Sequence, residues 1–197
     1  MQKIIITILL LVNFGVLQGQ EGINYRPKVL LREISKQWGI GDPQWSELRL
    51  PAANGSGERI KGKFFAVSER LEPNNRRFVY VGRVNSCRGG GCSASGEERA
   101  VAGDFEYFDY FILFGSDASV QQVRVFNYQA THGQEITSPQ WLRQFSGFDG
   151  TKTLQVGGNV DAISGATISA YAIAGDVEQK TKLLKNAELP RLGWAKE

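Results

Sequence analysis

The sequence has few of the side chains on which metal sites and hydrolytic triads depend. It contains one histidine, His132, and two cysteines, Cys87 and Cys92, in 197 residues. Two thiols cannot complete a four-ligand zinc site, and the histidine lies far from them along the chain. A Ser-His-Asp triad would have to use His132, and no Gly-x-Ser-x-Gly turn accompanies it. These shortages argue against a cysteine-based zinc site and against a serine hydrolase.

Charge of one sign is also scarce. The formal net charge is +3, and the basic residues are scattered rather than clustered. This balance gives no reason to expect binding to nucleic acid or to acidic lipid. Apolar residues make up 42% of the chain and charged residues 22%, which is typical of a soluble globular protein and sufficient for one domain with a core.

Only one long apolar run occurs, and it stands at the N-terminus. Lys3 precedes the apolar residues 4–17, and the small residue Gly19 follows. This order predicts a secretory signal peptide over residues 1–19 and an extracytoplasmic location, periplasmic or secreted. The run is shorter than the roughly 20 residues of a membrane span. An uncleaved anchor, which would make the protein membrane-associated, is the alternative.

The two cysteines are separated only by Arg-Gly-Gly-Gly. Outside the cytoplasm, a pair this close in sequence can form a structural disulfide, here between Cys87 and Cys92. Spacing alone does not distinguish this from free thiols or a redox-active pair.

Hydrophobic periodicity predicts an α+β fold, in which a long C-terminal helix packs on an antiparallel sheet. We predict helices over residues 26–38, 43–50, 138–145 and 164–186, and strands over residues 63–68, 78–84, 107–114 and 120–127, with a turn at residues 74–75. Residues 20–60 form an N-terminal region of helices and a loop, residues 61–187 the main domain, and residues 188–197 a tail.

The segment 161–167, Asp-Ala-Ile-Ser-Gly-Ala-Thr, leads into the last predicted helix. Ser164 is suited to cap this helix, while Gly165 and Ala166 leave room for a ligand near the backbone. The N–H groups of the first turn and the helix dipole favour a phosphate there, and Thr167 adds a hydroxyl. By local physics alone, a plain capped helix start is the favoured interpretation, because N-caps are common and helix N-termini that bind phosphate are few.

The same seven residues resemble the flavinylation motif of the FMN-binding domain family. That family includes the C subunit of the sodium-translocating NADH:quinone oxidoreductase and the G subunit of the Rnf complex. The resemblance implies that an FMN transferase, using FAD and magnesium, attaches FMN through a phosphoester to Thr167. It implies a recognition role for Asp161 during this attachment, with magnesium as a partner of its carboxylate; the alternative is that Asp161 caps the preceding turn.

A second stretch, residues 129–147, resembles the family segment that lies against the flavin ring. The likeness implicates Gly133, Glu135 and Trp141, with Phe145 four residues beyond Trp141 on the same helix face. His132 would stand beside the ring as a hydrogen-bond donor, or else be an ordinary loop histidine, and the two aromatics could equally be core. The transporter subunits usually carry Thr-Pro-Gly-Leu-Gly where this chain has residues 131–135.

The resemblance implies an exported electron carrier that exchanges electrons with a membrane redox partner. Two other functions are compatible with the sequence. One is an FMN-dependent extracytoplasmic reductase with its own substrate, and the other is a binding or structural module without flavin, in which Ser164 only caps a helix.

Overall fold

The computed structural model describes residues 22–50, 61–88 and 105–188, and the side chains of Cys87, Arg88 and Phe105 are not included. The predicted signal peptide, the predicted disulfide and the C-terminal tail beyond Glu188 lie outside this described part. The elements, in chain order, are α1 (Lys28–Trp38), β1 (Gln44–Leu48), β2 (Gly62–Glu69), β3 (Glu72–Arg88), β4 (Phe105–Phe114), β5 (Val120–Tyr128), a 3-10 turn (Gln134–Thr137), α2 (Pro139–Leu142), a second 3-10 turn (Arg143–Phe145) and α3 (Thr167–Glu188).

The strands form one antiparallel sheet in the order β1-β2-β3-β4-β5, and the 22-residue helix α3 packs on it. This confirms the predicted α+β class. Each strand pairs with its sequence neighbour, for example Tyr80 of β3 with Ile112 of β4. The topology is therefore a simple meander, in which strands adjacent in the sheet are also consecutive in the chain.

Both faces of the sheet are covered, because apolar residues in β4 occupy consecutive positions and so point to both sides. Tyr110 and Ile112 belong to the core beneath α3, whereas Phe111 and Leu113 belong to a second core. Helix α1 closes this second core with its buried Leu30 and Ile34. The N-terminal region thus packs directly on the sheet.

One predicted helix is wrong. Residues 44–48 form strand β1, which pairs with β2 in register from Gln44↔Ser68 to Leu48↔Phe64. Trp45 packs edge-to-face on Phe65, with ring centroids 5.5 Å apart. Pairing with an otherwise free sheet edge outweighs the weak local preference of this short segment for a helix.

Other boundaries differ in detail. The chain reverses between β2 and β3 at residues 70–71 rather than at residues 74–75, because Glu69 pairs with Glu72. The helix predicted over residues 138–145 has Pro139 in its first turn as expected, but the Ser138 side chain accepts no capping hydrogen bond, and the last turn is 3-10. Helix α3 begins at Thr167, not at Ser164.

Two glycines make room for a buried tyrosine beneath α3. Gly62 and Gly82 pair in the register of β2 and β3, and the Tyr80 hydroxyl lies over both. A Cβ atom at Gly82 would fall 2.2 Å from this hydroxyl oxygen. Tyr80 is fully buried, and this burial is the main cause that raises its pKa. The negative charge of Asp176 raises the pKa further. The phenol therefore stays neutral.

We expect Gly82→Ala to lower the free energy of unfolding by about 1–3 kcal/mol, because Tyr80 must leave its well-packed position. The matched control is Gly175→Ala in α3, where the position of a Cβ is open. That change should raise stability by about 0.5–1 kcal/mol, since glycine is a poor residue inside a helix. Urea denaturation followed by circular dichroism measures both. Equal stability of Gly82→Ala and the parent protein would contradict the assigned packing of Tyr80.

Candidate functional site

The chain enters α3 through a tight turn at Ser164 and Gly165. Gly165 has φ +82°, a left-handed conformation that favours glycine, and open space surrounds the position of its missing Cβ. The N–H of Ala166 donates to the carbonyl of Ile163 at 3.2 Å and closes the turn. Ser164 is exposed, and no N–H of the described residues donates to its hydroxyl. The predicted Ser164 cap is therefore wrong, because the helix starts three residues later.

This entry leaves backbone donors free at the start of α3. The first helical bond runs from the N–H of Ala170 to the carbonyl of Ala166 at 2.9 Å. The N–H groups of Thr167, Ile168 and Ser169 have no acceptor among the described residues. Unpaired first-turn N–H groups carry the positive end of the helix dipole, so an anion is favoured at this position.

Thr167 itself is the first residue of α3 and is exposed. Its neighbour Ala166 is 2% exposed and belongs to the core between α3 and the sheet, as does Ala170. The buried alanines anchor the turn, and Thr167 presents its hydroxyl to solvent next to the free N–H groups. The geometry is suited to a modified or ligand-bearing hydroxyl.

Asp161 and Trp141 meet, although 20 residues separate them in the chain. The Trp141 indole N–H donates to the Asp161 carbonyl at 2.9 Å, and the Asp161 N–H donates to Oε1 of Gln144 at 2.6 Å. The backbone of Asp161 is thus held, while its side chain is exposed. These contacts fix the approach to the Ser164–Gly165 turn.

The two aromatics of the predicted ring contact have different environments. Trp141 is half-buried, whereas Phe145 is fully buried in the core. Their rings pack edge-to-face, with centroids 5.4 Å apart. Phe145 therefore packs against the buried side of Trp141 and has no exposed surface for a ligand.

The turn at His132 and Gly133 packs against the first turn of α3. A Cβ at Gly133 would lie 2.6 Å from Oγ of Ser169, and Gly133 has φ +87°. Tyr128 donates its hydroxyl to the His132 carbonyl at 2.5 Å and lies 3.1 Å from Oγ of Ser169, which is 2.6 Å from Oγ of Ser86. Burial raises the pKa of Tyr128, so it remains a donor.

Three members of this network, Ser86, Tyr128 and Ser169, were not singled out from the sequence. Serine and tyrosine hydroxyls are common, and only the pairing of β3, β4 and β5 brings these together with α3. One signal existed for Ser169, because it lies two residues after Thr167 on the same predicted helix.

The predicted site residues fall on two sides of the α3 start. Residues two apart on a helix do not share a face, so Ser169 and the Gly133 turn lie away from the Thr167 side chain. His132 and Glu135 are exposed on that second side. Tyr171, four residues after Thr167, shares the Thr167 face.

The segment 149–156 runs beside α3 and is hydrogen-bonded to it. Four hydrogen bonds attach it to the helix. Lys185 Nζ donates to the Asp149 carbonyl at 2.8 Å and to its Oδ2 at 3.3 Å. The Leu154 N–H donates to Oε2 of Glu178 at 2.7 Å, and the Tyr171 hydroxyl donates to the Val156 carbonyl at 3.4 Å. The Glu178 pKa is raised by burial, but hydrogen bonds from Lys182 and Leu154 bring it below its ordinary value. The carboxylate therefore stays ionised as an acceptor.

Residues 22–50, 61–88 and 105–188 contain no group of three His, Cys, Asp or Glu that could hold a metal ion. No helix within these ranges is long and apolar enough to cross a membrane.

No protein-family model matches this chain, and no curated protein matches it at a significant level. The likeness of residues 161–167 to a flavinylation motif therefore stays a prediction, and so do the roles that it implies for the residues of this site.

We expect Gly133→Ala to destabilise the protein by about 1–3 kcal/mol. Alanine is strained at this positive φ, and its Cβ would also clash with Oγ of Ser169. Gly147→Ala is the matched control: Gly147 has φ +80° but no atom within 4 Å of a Cβ. It should show the cost of backbone strain alone, about 1 kcal/mol. Thermal unfolding of both variants separates strain from contact. An equal loss in both would contradict the packing of Gly133 on Ser169.

Acid should weaken the attachment of segment 149–156. Hydrogen bonds from Thr151, followed by Lys185, lower the pKa of Asp149 from 3.8 to about 2. The ionised Asp149 carboxylate therefore contributes fully to the free energy of unfolding above pH 3.8, and this contribution is lost as the pH falls through about 2. We expect the stability difference between the parent protein and Asp149→Asn to be constant above about pH 5 and to shrink in acid. A difference that grows in acid would contradict this assignment.

Proposed function

We propose that this chain is an exported flavoprotein that carries FMN, bonded through its phosphate to the Thr167 hydroxyl, and that it acts in extracytoplasmic electron transfer. The observation that carries the proposal is the position of Thr167. It is exposed, it is the first residue of α3, and it stands among three N–H groups without acceptors in the described part of the chain.

The residues at the helix start fit a phosphate. A phosphodiester on Thr167 would keep a negative charge, and the N–H groups of Thr167, Ile168 and Ser169 are available as donors at the positive end of α3. The open surroundings of Gly165 let a ligand approach the backbone of the preceding turn.

The attachment would be a transfer of the FMN group from FAD to Thr167. The Thr167 hydroxyl oxygen bonds to the phosphorus on the flavin side, the pyrophosphate bond breaks, AMP leaves and the hydroxyl proton passes to solvent. An FMN transferase with magnesium would perform this step. The exposure of Asp161 supports a role of its carboxylate in recognition by this enzyme. The exposure of Thr167 supports modification of the already folded domain.

FMN supplies the electron-carrying chemistry, and the protein supplies its position and surroundings. Trp141, held by the Asp161 carbonyl, stands at the approach to the turn. His132 and Glu135 offer polar groups on the other side of the α3 start. A covalent tether is useful outside the cytoplasm, where lost FMN is not easily replaced. Electrons would come from a membrane redox partner.

Intact mass spectrometry tests the proposal. Full-length protein co-expressed with an FMN transferase should gain the mass of one FMN less one water. Thr167→Ala should abolish this gain, because no oxygen remains to form the ester, and Thr167→Ser should retain it.

The control is Thr153→Ala, which removes an exposed threonine hydroxyl outside the motif and should leave loading unchanged. An unchanged mass of the parent protein, or loading that survives Thr167→Ala, would overturn the covalent assignment.

A further inference from the structure

Large apolar side chains are exposed on α3 next to Thr167. Four large apolar residues in the described part of the chain are well exposed: Leu31, Leu71, Ile168 and Tyr171. Two of the four, Ile168 at 43% and Tyr171 at 58%, lie within four residues of Thr167 on α3. Exposed apolar side chains that lie together, rather than singly, are typical of contact surfaces for ligands or partners.

The direction of Tyr171 places its ring near the Thr167 hydroxyl. Residues four apart on a helix share a face, and helical side chains lean towards the N-terminus. The Tyr171 ring therefore covers the turn that begins at Thr167. Its hydroxyl reaches across to the Val156 carbonyl at 3.4 Å, so the ring also borders segment 149–156.

Packing in the core does not account for this ring, which is 58% exposed. The face of α3 that packs on the sheet carries Ala170, Ile173 and Val177, all fully buried, and Tyr171 points away from them. Its one hydrogen bond, to Val156, is long for an O–H donor. Tyr171 is thus a large, flat, rigid surface that the protein keeps in solvent.

We propose that Tyr171 stacks against one face of the isoalloxazine ring of the FMN tethered to Thr167. This rests on the proposed function. Thr167 and Tyr171 are four residues apart, about 6 Å along the helix axis, which the ribityl chain between phosphate and ring exceeds in length. Flat aromatic rings favour offset stacking, so the tyrosine ring matches the chemistry of the ligand.

Stacking on Tyr171 has a consequence for electron exchange. One face of the flavin lies against the protein, and the opposite face remains towards solvent, where a redox partner can approach. Ile168, exposed beside Thr167, extends the apolar surface on which such a partner would dock next to the flavin.

Flavin fluorescence tests the assignment, because a tyrosine ring in contact with an excited flavin donates an electron and quenches the emission. Emission is compared per mole of covalently bound flavin, as counted by intact mass, in full-length protein co-expressed with the transferase. The parent protein should be weakly fluorescent, and Tyr171→Ala should be several-fold brighter. Tyr171→Trp should stay dark, since indole is also a good donor.

Two further variants act as controls. Leu71→Ala removes an exposed apolar side chain from the turn between β2 and β3 and should match the parent protein. Tyr171→Phe keeps the ring but is a poor electron donor. Its flavin should be bright, yet as restricted in fluorescence anisotropy decay as that of the parent protein, whereas in Tyr171→Ala the flavin should rotate more freely.

The outcomes separate the two proposals. If the parent protein gains no flavin mass, covalent attachment fails and the Tyr171 assignment fails with it. If the parent and Tyr171→Ala proteins are loaded equally and have the same emission and anisotropy, only the Tyr171 assignment is overturned.

Discussion

The structure depends on the close contact of helix α3 with the sheet. Alanines at positions 166, 170 and 174 are buried along the contact face, and the larger Ile173 and Val177 fill the space between them. Small side chains let the helix lie near β3 and β4, where tight packing leaves no freedom of rotation. Because this face is fixed, the side chains of Thr167 and Tyr171 must point to solvent, and the N-terminus of α3 is held at the surface.

A buried polar cluster specifies the rotation of α3 further. Lys180, 4% exposed, donates to Oδ1 of Asp176 at 2.7 Å, and Tyr110 of the sheet donates to Oδ2 of the same carboxylate. Lys180 also lies over the Tyr80 ring, 5.6 Å from its centroid. Burial raises the pKa of Tyr110, which therefore remains a donor. A helix rotated by one residue would leave a buried charge unpaired, which is strongly unfavourable.

The regular part of the fold was largely predictable from the sequence. Strands β2, β4 and β5 and helices α1 and α3 have periodicities that local propensity and burial both favour, and their predicted bounds lie close to the observed ones. Strand β1 was not predictable, since five residues with a weak local preference became a strand only through pairing with β2. The Ser164 cap failed because the left-handed Gly165 delays the helix start.

The sequence by itself determined that residues 161–167 precede a long amphipathic helix and that Thr167 stands in its first turn. It also pointed to Gly133 and Trp141. Only the tertiary structure decided that Trp141 donates to the Asp161 carbonyl, that Gly133 packs on Ser169, and that the helix face of Thr167 and Tyr171 points to solvent. The reason is physical: periodicity fixes which residues share a face, but the packing of α3 on the sheet fixes which way each face points.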